Sequence, residues 1–434
     1  MIFQKGVLHE DMDNIKMIPL QQIIEQKQLV PVTIILKLLY QLTLILNTIH
    51  YEGKNIGNLR MEELLVREIG ELEKLDIFIR QNIIKEDKQN NEQPILNQLK
   101  IILIKFGLNP LDINQTEDFE QILLYILRKL NIDLQKDNWR EQILSIIYGL
   151  EITDVQYFNC GFTYIYRVKV PYYINTTHDQ IIIKWIHQKE QTSKRLFEVE
   201  NYKNLKQQNQ LKNINQIDLF CYSLDINNST LMFLQKYSLT LKDYTKISEG
   251  KLMIQEKMKI CCKLADELKK LHDKNKIHRD LKPENIMVTG KDTYTDRLYD
   301  ITVQNINDID KLQWQIIDFE SAIEKGETDD FRGTRNYLPP ENMSGKAFKE
   351  SYDIWQMGLC FLFFITQSEV SYKKDLEQRN AKIQELLNTL KDKKNIGSQS
   401  ETMYRIISKM VSIKPEERPN LEAVIKELNS AIIN

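Results

Sequence analysis

His278-Arg279-Asp280-Leu281-Lys282-Pro283-Glu284-Asn285-Ile286-Met287 is the stretch whose reading decides the fold. It sets three groups on one short segment: a carboxylate able to take up a proton, a lysine two residues on, and an amide oxygen suited to a hard divalent ion. An apolar helical pattern, Met253–Leu271, leads into it. Beyond it, the apolar run Trp314-Gln315-Ile316-Ile317 leads into Asp318-Phe319-Glu320, a second acidic group directly after a strand-like segment.

Upstream the pattern changes. Tyr164–Val170 and Gln180–Ile186 are rich in β-branched and aromatic residues and read as strands. Pro171–Asp179, with its Asn, Thr and Asp, reads as the turn between them. Ser193–Leu205 carries apolar residues at helical spacing, and Thr230–Leu234 reads as a buried strand. Helical patterns dominate after Leu239.

With these residues in view, the chain resembles the eukaryotic protein kinases of serine/threonine type over about residues 152–434. The opening stretch matches H-R-D-L-x-x-x-N without departure, and Asp318-Phe319-Glu320 resembles D-F-G. The resemblance implies an α+β, two-lobed protein-kinase fold: a small β-rich N-lobe (152–237) and a larger α-helical C-lobe (238–434), preceded by a helical region (1–151). It implies transfer of the γ-phosphoryl of ATP, with Mg²⁺, to a serine or threonine hydroxyl of a protein substrate. Asp280 would be the base, Lys282 would offset charge on the transferring phosphate, and Asn285 and Asp318 would hold the metal. Lys184 would hold the α- and β-phosphates, with Glu198 as its partner and Glu200 as the alternative. Gly161, Ile165, Ile182 and Leu234 would line the nucleotide site, and Tyr237 would lie in the hinge. Glu341 would pair with Arg418, Asp353 would brace the catalytic loop, and Thr334 would contact Asp280. Arg279 would be placed to bind a phosphorylated activation segment, with Thr328 as the acceptor.

Three positions depart from the family. In Tyr157–Ile165 the only glycine is Gly161, so backbone amides should approach phosphates less closely. Ile182 stands where the family puts alanine, and Glu320 where it puts glycine. These departures keep open a second reading, a kinase-like scaffold or structural subunit with weak or no turnover.

Lys and Arg number 59 against 61 Asp and Glu, so no global field draws the chain to nucleic acid. The five cysteines show no metal-ligand spacing and read as free thiols of a cytoplasmic protein. Met1-Ile2-Phe3-Gln4-Lys5 does not read as a signal peptide. Leu29–Ile49 nearly has the length and apolarity of a membrane span, but Pro31, Lys37 and Gln41 favour a buried core helix. The interval Thr289–Lys311 reads as an inserted, mobile surface loop.

Residues 1–150 read as almost wholly helical, with a break at Asn90–Pro94. Helices are expected over Ile95–Phe106, Glu117–Leu130 and Trp139–Tyr148, with Asp112 and Asp137 placed to cap. One internal correspondence appears: His50–Val66 aligns without gaps on His272–Val288, with His50, Lys54, Leu59, Glu62 and Val66 matching. Ile56, Gly57, Asn58 and Glu63 then fall at the positions of His278, Arg279, Asp280 and Asn285. Two readings stay open, a decayed second C-lobe or an unrelated helical domain that docks a protein partner.

Overall fold

The computed structural model describes residues 7–8, 17–20, 22, 31–51, 54–56, 59, 64–68, 75–80, 84–86, 93–106, 108–158, 163–170, 179–187, 198–199, 201–202, 219–225, 229–292, 298–328, 333–342, 347–370, 376–391 and 398–433. The chain divides into two compact units: Met1–Leu196 with Asp218–Lys236, and Phe197–Ile217 with Tyr237–Asn434.

The first unit opens with β1 (Val7–Leu8) and β2 (Met17–Pro19), followed by the long helix α1 (Val32–Tyr51). Val32–His50 is long and apolar enough to cross a membrane, but 72% of that window is buried. Two polar side chains inside it bond as in a core helix: Gln41 Nε2 donates to Ile147 O at 3.1 Å, and Thr43 Oγ1 to Leu39 O at 2.8 Å.

After α1 come β3 (Lys54–Ile56), β4 (Leu64–Glu68), β5 (Leu75–Arg80) and β6 (Ile84–Glu86). They form a sheet of order β1-β5-β4-β2 and a separate β3-β6 pair. The helical reading of this region therefore missed its strands. Short apolar runs such as Leu64-Leu65-Val66 fit a strand and a buried helical turn equally well, and periodicity alone does not separate them. Downstream the expected helices are present as α2 (Gln93–Lys105), α4 (Phe119–Lys129) and α5 (Trp139–Ile146), with the short α3 (Pro110–Asn114) between. Their caps differ from expectation. Asn109 caps α3 by accepting from Leu111 N, and Asp118 caps α4 by accepting from Gln121 N. Asp112 lies inside the first turn of α3, and Asn138, not Asp137, holds the N-cap position of α5.

The same unit continues into five antiparallel strands: β7 (Ile152–Phe158), β8 (Thr163–Lys169), β9 (Gln180–His187), β10 (Leu219–Asp225) and β11 (Ser229–Gln235), in the order β10-β11-β9-β8-β7. Period-2 alternation gives this sheet two faces. Tyr166 pairs with Ile183, and Ile183 with Phe233; Val168 pairs with Ile181, and Trp185 with Leu231. These seven side chains are buried in one continuous core with α1, α2, α4 and α5. Trp139 meets Trp185 edge-on at 5.4 Å, and Tyr148 lies 5.7 Å from Phe233. The Arg140 guanidinium lies over both Trp139 and Tyr164, at 4.3 and 4.0 Å from the ring centroids.

The second unit has β12 (Leu239–Thr240), α6 (Leu241–Ile247), α7 (Ile254–His272), β13 (Lys276–Ile277), β14 (Ile286–Lys291), β15 (Leu298–Tyr299), β16 (Leu312–Ile316) and β17 (Ile323–Glu324). Four helices follow: α8 (Glu350–Thr366), α9 (Leu376–Lys391), α10 (Ser398–Met410) and α11 (Leu421–Ile433). β14 holds β12, β15 and β16, and β13 pairs β17. Nearly every residue of α8 from Tyr352 to Ile365 is buried, the mark of a helix surrounded by protein on all sides. The interval expected to be a mobile loop is packed where it is described. Ile301, Ile306 and Ile309 are buried, Tyr244 Oη donates to Ile306 O at 2.9 Å, and Lys263 Nζ reaches Ile309 O and Leu312 O. Its polar composition hid three isoleucines that anchor it.

Cys261, Cys262 and Cys360 are free and buried. Burial pushes the Cys261 and Cys360 thiols up, and pushes Cys262 up to about 11. Such thiols are poor nucleophiles at neutral pH.

Truncating Trp139 removes an aromatic side chain wedged against the sheet. Trp139→Ala is expected to cost about 3–5 kcal/mol of stability, read as a lower denaturant midpoint by tryptophan fluorescence and circular dichroism. A midpoint unchanged from the wild type would contradict the packing described.

Candidate active site

The centre of the second unit is the loop between β13 and β14. Its backbone turns through Arg279 with φ +69°, a left-handed conformation that a non-glycine residue adopts only when held there. Asp353, fully buried on α8, holds it. One carboxylate oxygen accepts from His278 N at 2.7 Å and contacts His272 Nε2 at 2.9 Å; the other accepts from Arg279 N at 2.9 Å. One turn along α8, Gln356 clamps the same loop from both ends of its amide. Its Oε1 accepts from Leu281 N at 3.0 Å, and its Nε2 donates to Arg279 O at 2.8 Å. The sequence did not single out Gln356; only the structure shows its amide fully buried and hydrogen-bonded to the loop.

On this frame Asp280, Lys282, Asn285 and Thr334 converge. Lys282 Nζ lies 3.0 Å from Asp280 Oδ2 and donates to Thr334 Oγ1 at 2.9 Å. Asp280 Oδ1 accepts from Thr334 N at 2.6 Å. Asn285 Nδ2 donates to Asp280 O at 2.9 Å and lies 3.4 Å from Asp280 Oδ2. The amide nitrogen of Asn285 thus faces Asp280. Gly333, at φ +116°, makes the close approach of the Thr334 segment possible: a Cβ there would sit 2.7 Å from Arg279 O.

His278 ties this loop to the segment after β16. Its Nε2 donates to Ile317 O at 3.0 Å, and its Nδ1 faces the Asp280 N–H at 3.3 Å, the pattern of a neutral imidazole protonated on Nε2. Ile317 N donates to Asn285 O at 2.9 Å. Asp318 follows with φ +68°, and Phe319 is buried between His278 and Tyr202, with ring centroids 5.4 and 5.0 Å away. Asn201 Nδ2 donates to Phe319 O at 3.0 Å, while its Oδ1 accepts from Lys276 Nζ at 3.2 Å. Lys276 also pairs with Glu324 at 2.7 Å. Asn201 and Lys276 were not foreseen; their polarity is unremarkable in sequence, and only the fold brings them to one place.

The carboxylates of Glu198, Asp318 and Glu320 offer oxygens within 4.8 Å of one another. Glutamate in place of glycine at position 320 therefore adds negative charge beside Asp318. The donor set fits a hard divalent cation, with Asp318 and the Asn285 amide oxygen as the ligands the motif implies.

In the first unit, Lys184 lies on the face of the sheet opposite the buried aromatic core. Ile165 pairs with Lys184, and Lys184 with Met232; Ile182 pairs with Leu234. Ile165, Ile182, Lys184 and Leu234 thus share one face, as a common ligand site requires. Tyr237 is buried and opens the longer segment of the second unit, Tyr237–Asn434. Gly161 and Glu200 lie outside the described residues. Thr328 is described and exposed, whereas the Arg279 side chain is buried, with Nε donating to Ser321 O and the guanidinium 4.8 Å from the Phe348 ring.

Glu341 and Arg418 form a bidentate pair, 2.5 and 2.8 Å, with the guanidinium fully buried and stacked 5.0 Å from Trp355.

The protein kinase domain family model matches residues 169–428. The chain belongs to the protein kinase family. Among curated relatives, it is 26% identical over 225 residues to Aurora/IPL1-related protein kinase 2 of Caenorhabditis briggsae, covering 50% of this chain and 64% of that one. To the Aurora kinase of Dictyostelium discoideum it is 28% identical over 225 residues, 50% of each. To the serine/threonine-protein kinase Nek2 of Homo sapiens it is 25% identical over 228 residues, 50% of this chain and 46% of that one. The chain spans less than two thirds of the length of these relatives, and the matches cover about half of it. The kinase loop and the segments that support it lie within the matched residues.

Glu341→Ala would leave the Arg418 guanidinium buried without its carboxylate. The expected cost is about 3–5 kcal/mol, measured by chemical denaturation. A cost below 1 kcal/mol would show that the pair is dispensable.

Proposed function

We propose that this kinase-family chain is an active protein serine/threonine kinase using Mg-ATP. The observation that carries the reading is the Asp280–Lys282–Thr334–Asn285 cluster, in which Lys282, Asn285 and Thr334 each hydrogen-bond to Asp280 and Lys282 also bonds Thr334. Asp280 Oδ2 is the atom proposed to accept the substrate hydroxyl proton. Its neighbour Oδ1 is held by the Thr334 amide, which fixes the direction of the carboxylate. Lys282, bridging Asp280 and Thr334, would offset charge on the transferring phosphoryl group. Thr334 beside the cluster fits a serine or threonine acceptor, in line with the names of the relatives. Bound Mg²⁺ would neutralise the developing phosphate charge, and Asp318 and Asn285 would hold it. Lys184 is proposed to hold the nucleotide's phosphates, with Ile165, Ile182 and Leu234 on the same sheet face against the base.

The departures modulate this reading rather than remove it. Ile182 adds bulk on the nucleotide face, so a raised KM for ATP is expected. Glu320 adds a carboxylate near Asp318, so turnover should depend on divalent ion concentration more steeply than in a glycine variant.

Phosphate incorporation into a generic basic-protein substrate tests the proposal. Asp280→Asn is expected to lower kcat by roughly 10²–10⁴-fold with an unchanged melting temperature. Absence of transfer by well-folded wild-type protein, with either Mg²⁺ or Mn²⁺, would sink it.

A further inference from the structure

We infer that the N-terminal region is a second kinase-type C-lobe, emptied of catalytic groups, whose role is to cover the outer face of the N-lobe sheet. The inference rests on strand register and one hydrogen bond, and is independent of whether the kinase turns over.

The two regions have the same order of elements. With α6 and β15 of the second region set aside, a short strand is followed by a long helix and four strands in each: β2, α1, β3, β4, β5, β6 in the first, and β12, α7, β13, β14, β16, β17 in the second. The pairings coincide as well. β4 pairs β5 with Leu64 opposite Ile79, Val66 opposite Ile77 and Glu68 opposite Leu75. β14 pairs β16 with Ile286 opposite Ile316, Val288 opposite Trp314 and Gly290 opposite Leu312. β3 pairs β6 with Lys54 opposite Glu86, as β13 pairs β17 with Lys276 opposite Glu324. β2 joins β4 with Ile18 opposite Val66, as β12 joins β14 with Leu239 opposite Val288. In these pairs Lys54, Leu64 and Val66 stand where the alignment of His50–Val66 on His272–Val288 puts Lys276, Ile286 and Val288, and Glu68 and Gly290 continue its offset. Alternating apolar residues fix the register of a hairpin, but they do not dictate that the strand before it closes on the strand after it.

One polar contact is repeated too. Leu59 N donates to Gln98 Oε1 at 2.7 Å, and Leu281, the residue aligned with Leu59, donates to Gln356 Oε1 at 3.0 Å. Gln98 lies on α2, the first helix after the strands, as Gln356 lies on α8. Setting Gln98 on Gln356 puts Ile95 where Asp353 stands, and Ile95 is buried. The brace that holds Arg279 in its left-handed conformation is therefore replaced by a hydrocarbon. With Asn58 at the position of Asp280 and Glu63 at that of Asn285, neither a base nor the amide ligand is retained. The connection between the paired strands is also short in this copy, residues 69–74 against 292–311.

What the first copy kept is its apolar interior, and that interior is continuous with the N-lobe. Ile181, Ile183, Trp185, Tyr166, Val168, Leu231 and Phe233 would otherwise form an exposed apolar face. Instead they share one core with α1, α2, α4 and α5. An apolar face of this extent needs a partner, and here the partner is the chain's own degenerate lobe.

Hydrogen–deuterium exchange on the full chain tests this without requiring turnover. Gln98→Ala is expected to speed exchange at the Leu59 amide about fivefold or more, and Gln356→Ala to do the same at Leu281. Gln98→Ala should leave kcat within about twofold of wild type, whereas Gln356→Ala should lower it, since only the second loop bears catalytic groups. Trp139→Ala should speed exchange in β8 and β9. Unchanged exchange at Leu59 in Gln98→Ala, or in β8 and β9 in Trp139→Ala, would overturn the inference. So would residual transfer in Asp280→Asn that disappears when Asn58→Ala is added. An inactive wild type would sink the proposed function and leave these exchange readouts standing.

Discussion

The kinase loop depends on one buried carboxylate. Asp353 receives the N–H groups of His278 and Arg279 on its two oxygens, and thereby satisfies two backbone donors that the left-handed turn at Arg279 leaves without a strand partner. The strain at Arg279 costs on the order of 1–2 kcal/mol, which charge-assisted bonds of about 1.5–3 kcal/mol each more than offset. That turn directs Asp280 toward Lys282 and Thr334. Remove the carboxylate and the loop has no reason to keep its shape, even with every catalytic side chain present.

Around that brace the constraints are nested. Gln356 fixes the carbonyl of Arg279 and the amide of Leu281, so the loop is held on both sides of Asp280. His278 and Asn285 carry the fixed geometry to Ile317, and Asn201 carries it from Phe319 to Lys276. Gly358 lets α8 lie close to α10: a Cβ there would come within 2.9 Å of Met410 and Val411. Arg418 holds Glu341 from the far side of the same helix, stacking on Trp355. The helix that carries Asp353 is thus immobilised by packing before the carboxylate does any chemistry-related work.

Much of this was legible in the sequence because it is written in contiguous motifs. His278–Met287, Asp318–Glu320, Glu341 with Arg418, and Asp353 were placed in their roles by the resemblance to the kinases that these motifs carry. Gln356, Asn201 and Lys276 were not, because a single amide or ammonium has no local pattern and acquires meaning only from what the fold sets beside it. The N-lobe strands β8, β9 and β11 were legible from β-branched runs. The strands β2 to β6 were not, since each is short and an apolar run of that length fits a buried helical turn equally well. The interval before β16 misled in the other direction: polar residues dominate it, yet Ile301, Ile306 and Ile309 decide its packing.

On the inference that the N-terminal region is a degenerate C-lobe, comparing the two loops separates features that would serve folding from those that would serve catalysis. The strand pairings and the glutamine bond to the loop amide persist in the N-terminal copy, and they serve burial and backbone satisfaction alone. The aspartate brace, the base and the metal-ligating amide have gone together. This is expected if the brace exists to hold a strained turn rather than to stabilise the lobe. Once Asp280 has no counterpart, a left-handed residue at the position before it gives no benefit, and a buried carboxylate with fewer donors would be a net cost. Ile95 in place of Asp353 resolves that cost by filling the site with hydrocarbon, and the freed lobe survives as a cover for the apolar face of the sheet.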